Sequence, residues 1–412
     1  MKKIIVIFLI LLLGGCSAIE RILLRETKKP EENILPNLVE GVTFTELNFT
    51  KVLATTADPA KARIDALFAD GNLLYFSLSS YSDSAHPDAA FSTGIYTYNL
   101  TTKAFIRIFI IDPSKKYYVS SIAVLRGRVY FSGGYPITDK AGEHKYEISV
   151  INGTKATVLL KDTTYDLNIP KLLKFSDISL VFLQVHYEAI SQTEFKSTHK
   201  ITQIKLDSSL RSSTEYGGVT DATTSEASLP FASAFTLNGM NIAYAANKNK
   251  ETLLYSATYD SVTQKFKDMQ LIKVGNNLSP EALVGFGNHW YITAIKNGNS
   301  DHLMHVYEME TGRKSATQIF ANHSKAYGLA SFENKNGLFI GDFMKGDGSQ
   351  PNGIGRLYLA HFDINTVKYQ RIDKFINTGW PISSVKLSDK QFLIQGKLEL
   401  GKDLKYYIIE FK

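Results

Sequence analysis

"RIDALFADGNLLYFS", residues 63–77, is a short apolar run, an Asp-Gly pair at Asp70-Gly71, and a second run rich in Leu, Tyr and Phe. Each run is too short for a globular helix, and the aromatic residues favour extended backbone. Glycine at the centre supplies the positive φ of a tight turn, so the stretch predicts a β-hairpin. The same plan returns as "SSIAVLRGRVYFSGG" (120–134), "PKLLKFSDISLVFLQ" (170–184), "FASAFTLNGMNIAYA" (231–245), "PEALVGFGNHWYITA" (280–294), "YGLASFENKNGLFIG" (327–341) and "PISSVKLSDKQFLIQ" (381–395).

Successive turns are spaced at about 50 residues, and most intervals hold a further hairpin. Examples are "GIYTYNLTTKAFIRIFI" (94–110), "HVYEMETGRKSATQIF" (305–320) and "RLYLAHFDINTVKYQRI" (356–372). Four antiparallel strands at this period are the mark of a β-propeller, which hides sheet edges by arranging blades around an axis. After Asp389 the chain has room for three strands of a last blade, while "VTFTELNFTKVLA" (42–54) precedes the first hairpin without a partner. The expectation is an all-β, seven-bladed propeller of four-stranded antiparallel blades, its N-terminal strand closing the last blade. The WD and Gly-His pairs of WD40 repeats are absent, and the Gly-Gly of kelch repeats follows a second strand once, at Gly133-Gly134.

Upstream of the repeats, Lys2 and Lys3 precede an apolar run from Ile4 to Leu13. Spanning a bilayer takes about 20 apolar residues, so this run reads as an export signal. Leu13-Gly14-Gly15-Cys16 resembles the lipobox of bacterial lipoproteins. The resemblance implies cleavage before Cys16, acylation of its thiol (palmitate or a similar chain), and further acylation of the new amino terminus. Ser17, in place of Asp, implies sorting to the outer membrane in envelopes of enterobacterial type. The expected organisation is a signal peptide at 1–15, a tether at 16–41 and the propeller at 42–412. Cys16 is the only cysteine, so the exported chain has no disulfide and depends on its core.

The formal net charge of +6 includes the signal lysines, and no run of five basic residues occurs. Nucleic acid is therefore not an expected partner. No G-x-S-x-G, H-E-x-x-H or phosphate-binding glycine loop occurs, and a lone cysteine excludes thiolate metal sites. His302 and His305 lie at i, i+3, on opposite faces of a strand, and Asp342, Asp347 and Asn352 lack the spacing of a calcium loop. The repeated S-x-D-x-G-x-x-W boxes of sialidase propellers are missing, and two tryptophans are too few for a quinone-dependent dehydrogenase propeller. No cofactor, metal or catalytic residue is expected.

In a propeller, the segments leading into the first strand of each blade ring one mouth of the central channel. Those segments place Arg63, Tyr118, Lys171, Phe231, Glu281, Tyr327 and Trp380 around a common opening as candidate ligand or partner contacts. Trp380 suits a contact surface, being large, rigid and amphipathic, whereas Trp290 on a second strand suits the core. Long connections between second and third strands are expected at 79–93, 132–145, 186–198 and 342–355. The expected function is a monomeric, membrane-anchored envelope lipoprotein that binds or assembles with another envelope protein through this face, without catalysis. In outline it resembles the propeller lipoprotein of the outer-membrane protein assembly machinery. A glycan-binding or glycan-processing surface protein is the alternative.

Overall fold

The computed structural model describes residues 41–56, 62–81, 90–137, 143–165, 169–189, 194–207, 212–225, 235–248, 251–296, 303–325, 333–334, 337–344, 356–363, 368–371, 384–388, 390–397 and 404–411. Strand β1 (Val42–Leu47) and a one-turn helix α1 (Thr50–Leu53) come first. Four strands follow, β2 (Ala62–Asp70), β3 (Leu73–Tyr81), β4 (Ala90–Asn99) and β5 (Phe105–Ile110), hydrogen-bonded in that order as the first sheet. The second sheet is β6 (Tyr118–Leu125), β7 (Arg128–Pro136), β8 (Glu143–Asn152) and β9 (Lys155–Tyr165). The third is β10 (Leu173–Ser176), β11 (Ser179–Ala189), β12 (Glu194–Leu206) and β13 (Ser212–Ser225). The fourth is β14 (Phe235–Asn238), β15 (Asn241–Lys248), β16 (Glu251–Asp260) and β17 (Lys265–Asn276). The fifth is β18 (Leu278–Phe286), β19 (His289–Lys296), β20 (Leu303–Glu310) and β21 (Thr317–Lys325). The sixth is β22 (Glu333–Asn334), β23 (Gly337–Met344), β24 (Arg356–Asp363) and β25 (Lys368–Arg371). The closing sheet runs β1, β28 (Leu404–Phe411), β27 (Gln391–Lys397), β26 (Ser384–Lys386), with β1 antiparallel to β28 from Val42↔Phe411 to Leu47↔Tyr406.

The apolar clusters lie between sheets, not within one. Tyr75 and Ile95 of the first sheet pack on Val119, Ile122 and Phe131 of the second. Tyr130, Tyr146 and Ile148 of the second meet Leu180, Phe182 and Ile204 of the third. Val181, Leu183 and Ile201 meet Ile242, Tyr244 and Tyr255 of the fourth, whose Leu254 and Ile272 meet Trp290 and Ile292 of the fifth. Leu393 and Tyr406 of the closing sheet pack with Phe49 and Val52 on Leu74, Phe76 and Leu78 of the first. The first four sheets are therefore covered on both faces, which explains why their second strands are apolar runs and do not alternate. First strands touch in succession: β2 with β6, β6 with β10, β10 with β14, β14 with β18, β18 with β22, and β26 with β2. They surround a common axis.

Three expectations are corrected. Seven like blades are not present. In six sheets every neighbouring pair of strands is joined over at least three residues. In the sixth sheet, among the described residues, β22 is reduced to Glu333↔Leu338 and Asn334↔Gly337. The ring therefore holds six full blades and one reduced sheet. The sequence does not mark this reduction, since "YGLASFENKNGLFIG" (327–341) reads like the other hairpins. The closing segment is also not one strand. β1 stops at Leu47, the Asn48 Oδ1 accepts the Thr50 N–H at 2.9 Å, and α1 follows. Phe49 and Val52 are the cause, since a helical turn sinks both into the core, where extended backbone would send them to opposite faces.

The expected long connection at 186–198 is also largely strand. His186 pairs with Thr198 and the ladder continues to Ala189↔Phe195, so β11 and β12 project as an extended hairpin.

Candidate functional site

The mouth is built at the leading ends of the first strands. Arg63 is the second residue of β2, Tyr118 the first of β6, and Lys171 lies two residues before β10. Glu281 lies within β18, at an irregularity between Pro280 and Ala282, and its side chain is outside the described residues. Cys16, Phe231, Tyr327 and Trp380 are outside the described residues, as are His302, Asp347 and Asn352. The structure thus places three of the mouth side chains on successive sheets. First strands of four sheets carry a register shift, at Asp65/Phe68, Val119/Ser121, Lys174/Ser176 and Pro280/Ala282. Such bulges bend a strand and re-aim its side chains, and they gather at rims and binding sites.

Arg63 is already engaged. Its Nε donates to Asp65 Oδ2 at 2.7 Å, and the Asp65 carboxylate is buried. The pair sits at i, i+2, on one face of β2, and largely cancels its own charge. Tyr118 is half-buried against the cluster that contains Ile169 and Leu172. Lys171 lies between those two residues and reaches solvent. Desolvation by nearby protein lowers the pKa of its amine below the ordinary lysine value.

Serines of the second sheet hold the backbone on both sides of Lys171. Ser132 Oγ donates to the Pro170 carbonyl at 2.5 Å, Ser121 Oγ accepts the Leu172 N–H at 3.0 Å, and Ser120 Oγ donates to the Ile169 carbonyl at 3.5 Å. The same device recurs one sheet earlier and two sheets later. Ser92 Oγ, itself 3.2 Å from Ser79 Oγ, accepts the Val119 N–H at 2.9 Å. Thr252 Oγ1 donates to the Leu278 carbonyl at 3.1 Å. Hydroxyls of these three blades thus satisfy backbone groups at, or just before, the start of the next blade's first strand. Sequence reasoning missed these residues. Serine directly after the second-strand aromatic in Phe131-Ser132 marks one of them, but the same pair at Phe76-Ser77 leaves its hydroxyl buried without a partner among the described residues, so the pattern alone does not identify them.

The opposite ends of the inner strands are charge-compensated. Lys174 Nζ, on β10, lies 3.7 Å from Asp70 Oδ1 on β2 and 3.5 Å from Asp177 Oδ1. Elsewhere His305 is buried on β20, its ring 6.1 Å from that of Tyr307, and among the described residues no three metal-ligating side chains come together. Trp290 is fully buried.

No described protein family matches the sequence, and no curated protein matches it. Solved structures match by shape. A prolyl endopeptidase aligns over 84% of this chain and 46% of its own, at 10% identity and a TM-score of 0.50. The fold is a β-propeller. The chain spans less than half the length of that endopeptidase, and the likeness concerns the fold alone. The β-propeller domain of the Trilobed protease from Pyrococcus furiosus aligns over 84% of this chain and 95% of its own, at 11% identity and a TM-score of 0.47. The polysaccharide lyase Uly1 aligns over 94% of each chain, at 10% identity and a TM-score of 0.45.

Proposed function

We propose that the protein is a lipid-anchored lipoprotein of the bacterial envelope, sorted to the outer membrane, whose propeller is a non-catalytic binding or assembly module working through the mouth described above. The anchor is the lipid on Cys16, and the reading rests on the lipobox. Among the described residues no helix is long and apolar enough to cross a membrane. One observation carries the binding role: the lead-in backbone around Lys171 is fixed by three serines while the side chain between them is left to solvent. Binding surfaces gain affinity from segments that need no ordering on contact. The described mouth offers a neutralised guanidinium, a phenol and an ammonium, which suits recognition.

The test is crosslinking with affinity capture from the native envelope, comparing the wild type with a Trp380→Ala/Tyr118→Ala double variant. A defined envelope protein captured by the wild type and lost in the variant supports the reading. Equal capture by both moves the interface away from the mouth, and capture of no protein by either overturns the assembly role.

A further inference from the structure

Because neighbouring strands run antiparallel, the turns that join first to second and third to fourth strands lie at the end of the propeller opposite the mouth. The proposed tether joins at that same end. Gln391, the first residue of β27 after its turn, pairs with Glu410, and Phe411 beside it pairs with Val42, where β1 begins. A lipid on the tether therefore reaches the body at the turn end and leaves the mouth on the far side.

Three apolar side chains stand out at this end. Ile178, Met240 and Val262 are 41%, 46% and 89% exposed, in the β10–β11, β14–β15 and β16–β17 turns. Among the described residues, no large apolar side chain is exposed in a connection at the mouth end. The backbone of each tip is fixed. The Leu206 N–H donates to the Ile178 carbonyl at 2.8 Å, the Tyr259 N–H to the Met240 carbonyl at 2.8 Å, and the Val262 N–H to Asp260 Oδ1 at 2.9 Å. The strand ends that carry the tips are joined by the rings of Phe175, Tyr259 and Phe266, whose centroids lie 4.7 to 5.3 Å apart. Lys103, Arg126, Lys155, Lys265, Lys314 and Lys390 are exposed at the same end, and none is ion-paired among the described residues. Most acids of these turns are already engaged: Asp70 and Asp177 with Lys174, Asp260 with Lys267, and Glu310 with Arg313. Asp207 and Glu410 alone are left to set against the six cations among the described residues.

We infer that the turn end is a membrane-contacting face, which docks on the anionic headgroup layer holding the chain's own lipid and presents the mouth away from it. The inference rests on the anchored reading of the chain. Fixed apolar tips among cations suit the headgroup boundary, where apolar side chains enter the acyl edge and ammonium or guanidinium groups meet phosphate. The tether selects this occupant, because it brings the membrane to this end. The tips also lie across the ring from it, since the third and fourth sheets are three and four places from the closing sheet in the succession of first strands. A lipid on one side and apolar tips on the other lay the face flat, whereas a lipid alone lets the body turn. At physiological salt, which screens exposed charges beyond about 8 Å, the face orients a protein that its lipid already holds.

The experiment places tryptophan at Val262 and, as a control in a mouth-end connection, at the exposed Lys115. Each purified full-length variant, Val262→Trp or Lys115→Trp, is added to vesicles of phosphatidylcholine and phosphatidylglycerol with brominated acyl chains, and quenching is read against the wild type. Val262→Trp is expected to lose about half of its added emission, as a side chain at the acyl boundary would, while Lys115→Trp keeps its own. Vesicles of phosphatidylcholine alone, or salt raised to about 1 M, should restore most of the loss. Adding Met240→Asp to Val262→Trp should abolish the quenching and leave melting unchanged, because the side chain is exposed. Equal quenching at both sites, or at neither, overturns the assignment. So does concentration-dependent dimerisation without vesicles that Met240→Asp removes, which would give the face to a second copy of the chain. Mass spectrometry of Cys16 reads the lipid separately. An acylated protein unquenched at residue 262 keeps its anchor and loses the face; an unacylated protein quenched there keeps the face and loses the anchor.

Discussion

Tyr117 shows how single residues set the geometry of this mouth. Its ring covers Gly133 so closely that a Cβ at that glycine would overlap it, and a Cβ at Gly134 would lie 2.9 Å from Ile169 Cδ1. The Gly-Gly pair therefore makes room for two lead-in segments. The sequence shows the glycines but not the side chains that need the space, because Tyr117 and Ile169 reach them only through the fold. The place of Lys171 before an inner strand was legible from the repeat, while the serines that hold the backbone around it were not. The Tyr117 hydroxyl is buried with no hydrogen-bond partner, and desolvation, with Glu147 and Tyr135 adding to it, raises its pKa above the ordinary tyrosine value. An acid whose folded pKa is raised stabilises the fold fully below the unfolded value and loses that contribution as pH rises above it. Between the ordinary tyrosine pKa of about 10 and the raised one, the unfolded chain releases a proton that the folded chain keeps, so stability falls with pH. Tyr117→Phe should leave stability at pH 7 unchanged or slightly improved, since it removes a buried unpaired group, and should flatten the alkaline decline. Urea unfolding between about pH 7 and 11 measures both, and an unchanged alkaline limb would refute the assignment.

Among elements, β1 and α1 form the latch between the chain's two ends. β1 supplies the hydrogen bonds to β28, but its pattern is mostly exposed. The packing comes from Phe49, buried between the two sheets, with ring centroids 4.8 Å from Tyr98 and Tyr406 and 5.8 Å from Phe76. Tyr406 in turn accepts the Ile64 N–H at 3.0 Å through its hydroxyl, tying the closing sheet to the first inner strand. Phe49→Ala should cost about 3–5 kcal/mol, as for other buried phenylalanines, whereas Thr45→Ala on the exposed side of β1 should stay within about 0.5 kcal/mol. Chemical denaturation of the two variants checks the contrast; equal, small losses would mean that closure depends on strand pairing alone. The closing strand was visible in the sequence because it was a β-rich run without a hairpin partner. The helical turn was not, because Thr50 and Val52 are β-favouring residues whose conformation is set by packing. The reduced sixth sheet was hidden because its hairpin, with a turn between Asn334 and Gly337, has the same sequence pattern as the others.

At the scale of the whole molecule, the proposed tether at 16–41 decides what the propeller can reach. A flexible chain of that length has an r.m.s. span of roughly 25–30 Å, which keeps the mouth within about one domain diameter of the membrane. A partner read by the mouth would then itself belong to, or lie against, that membrane. One acyl chain gives only marginal attachment, so stable anchoring requires several chains on the same cysteine, as the lipobox implies. Cys16→Ala should consequently move the protein from the membrane pellet to the soluble fraction. Its thermal unfolding should be unchanged, because the described sheets and their core clusters begin at Val42. Partner capture should fall in the released variant even though the propeller is intact, since tethering raises the local concentration that a weak contact depends on. Retention of Cys16→Ala in the membrane pellet would show that attachment runs through the body of the protein, and would place the contact surface elsewhere than a mouth held on a lipid leash.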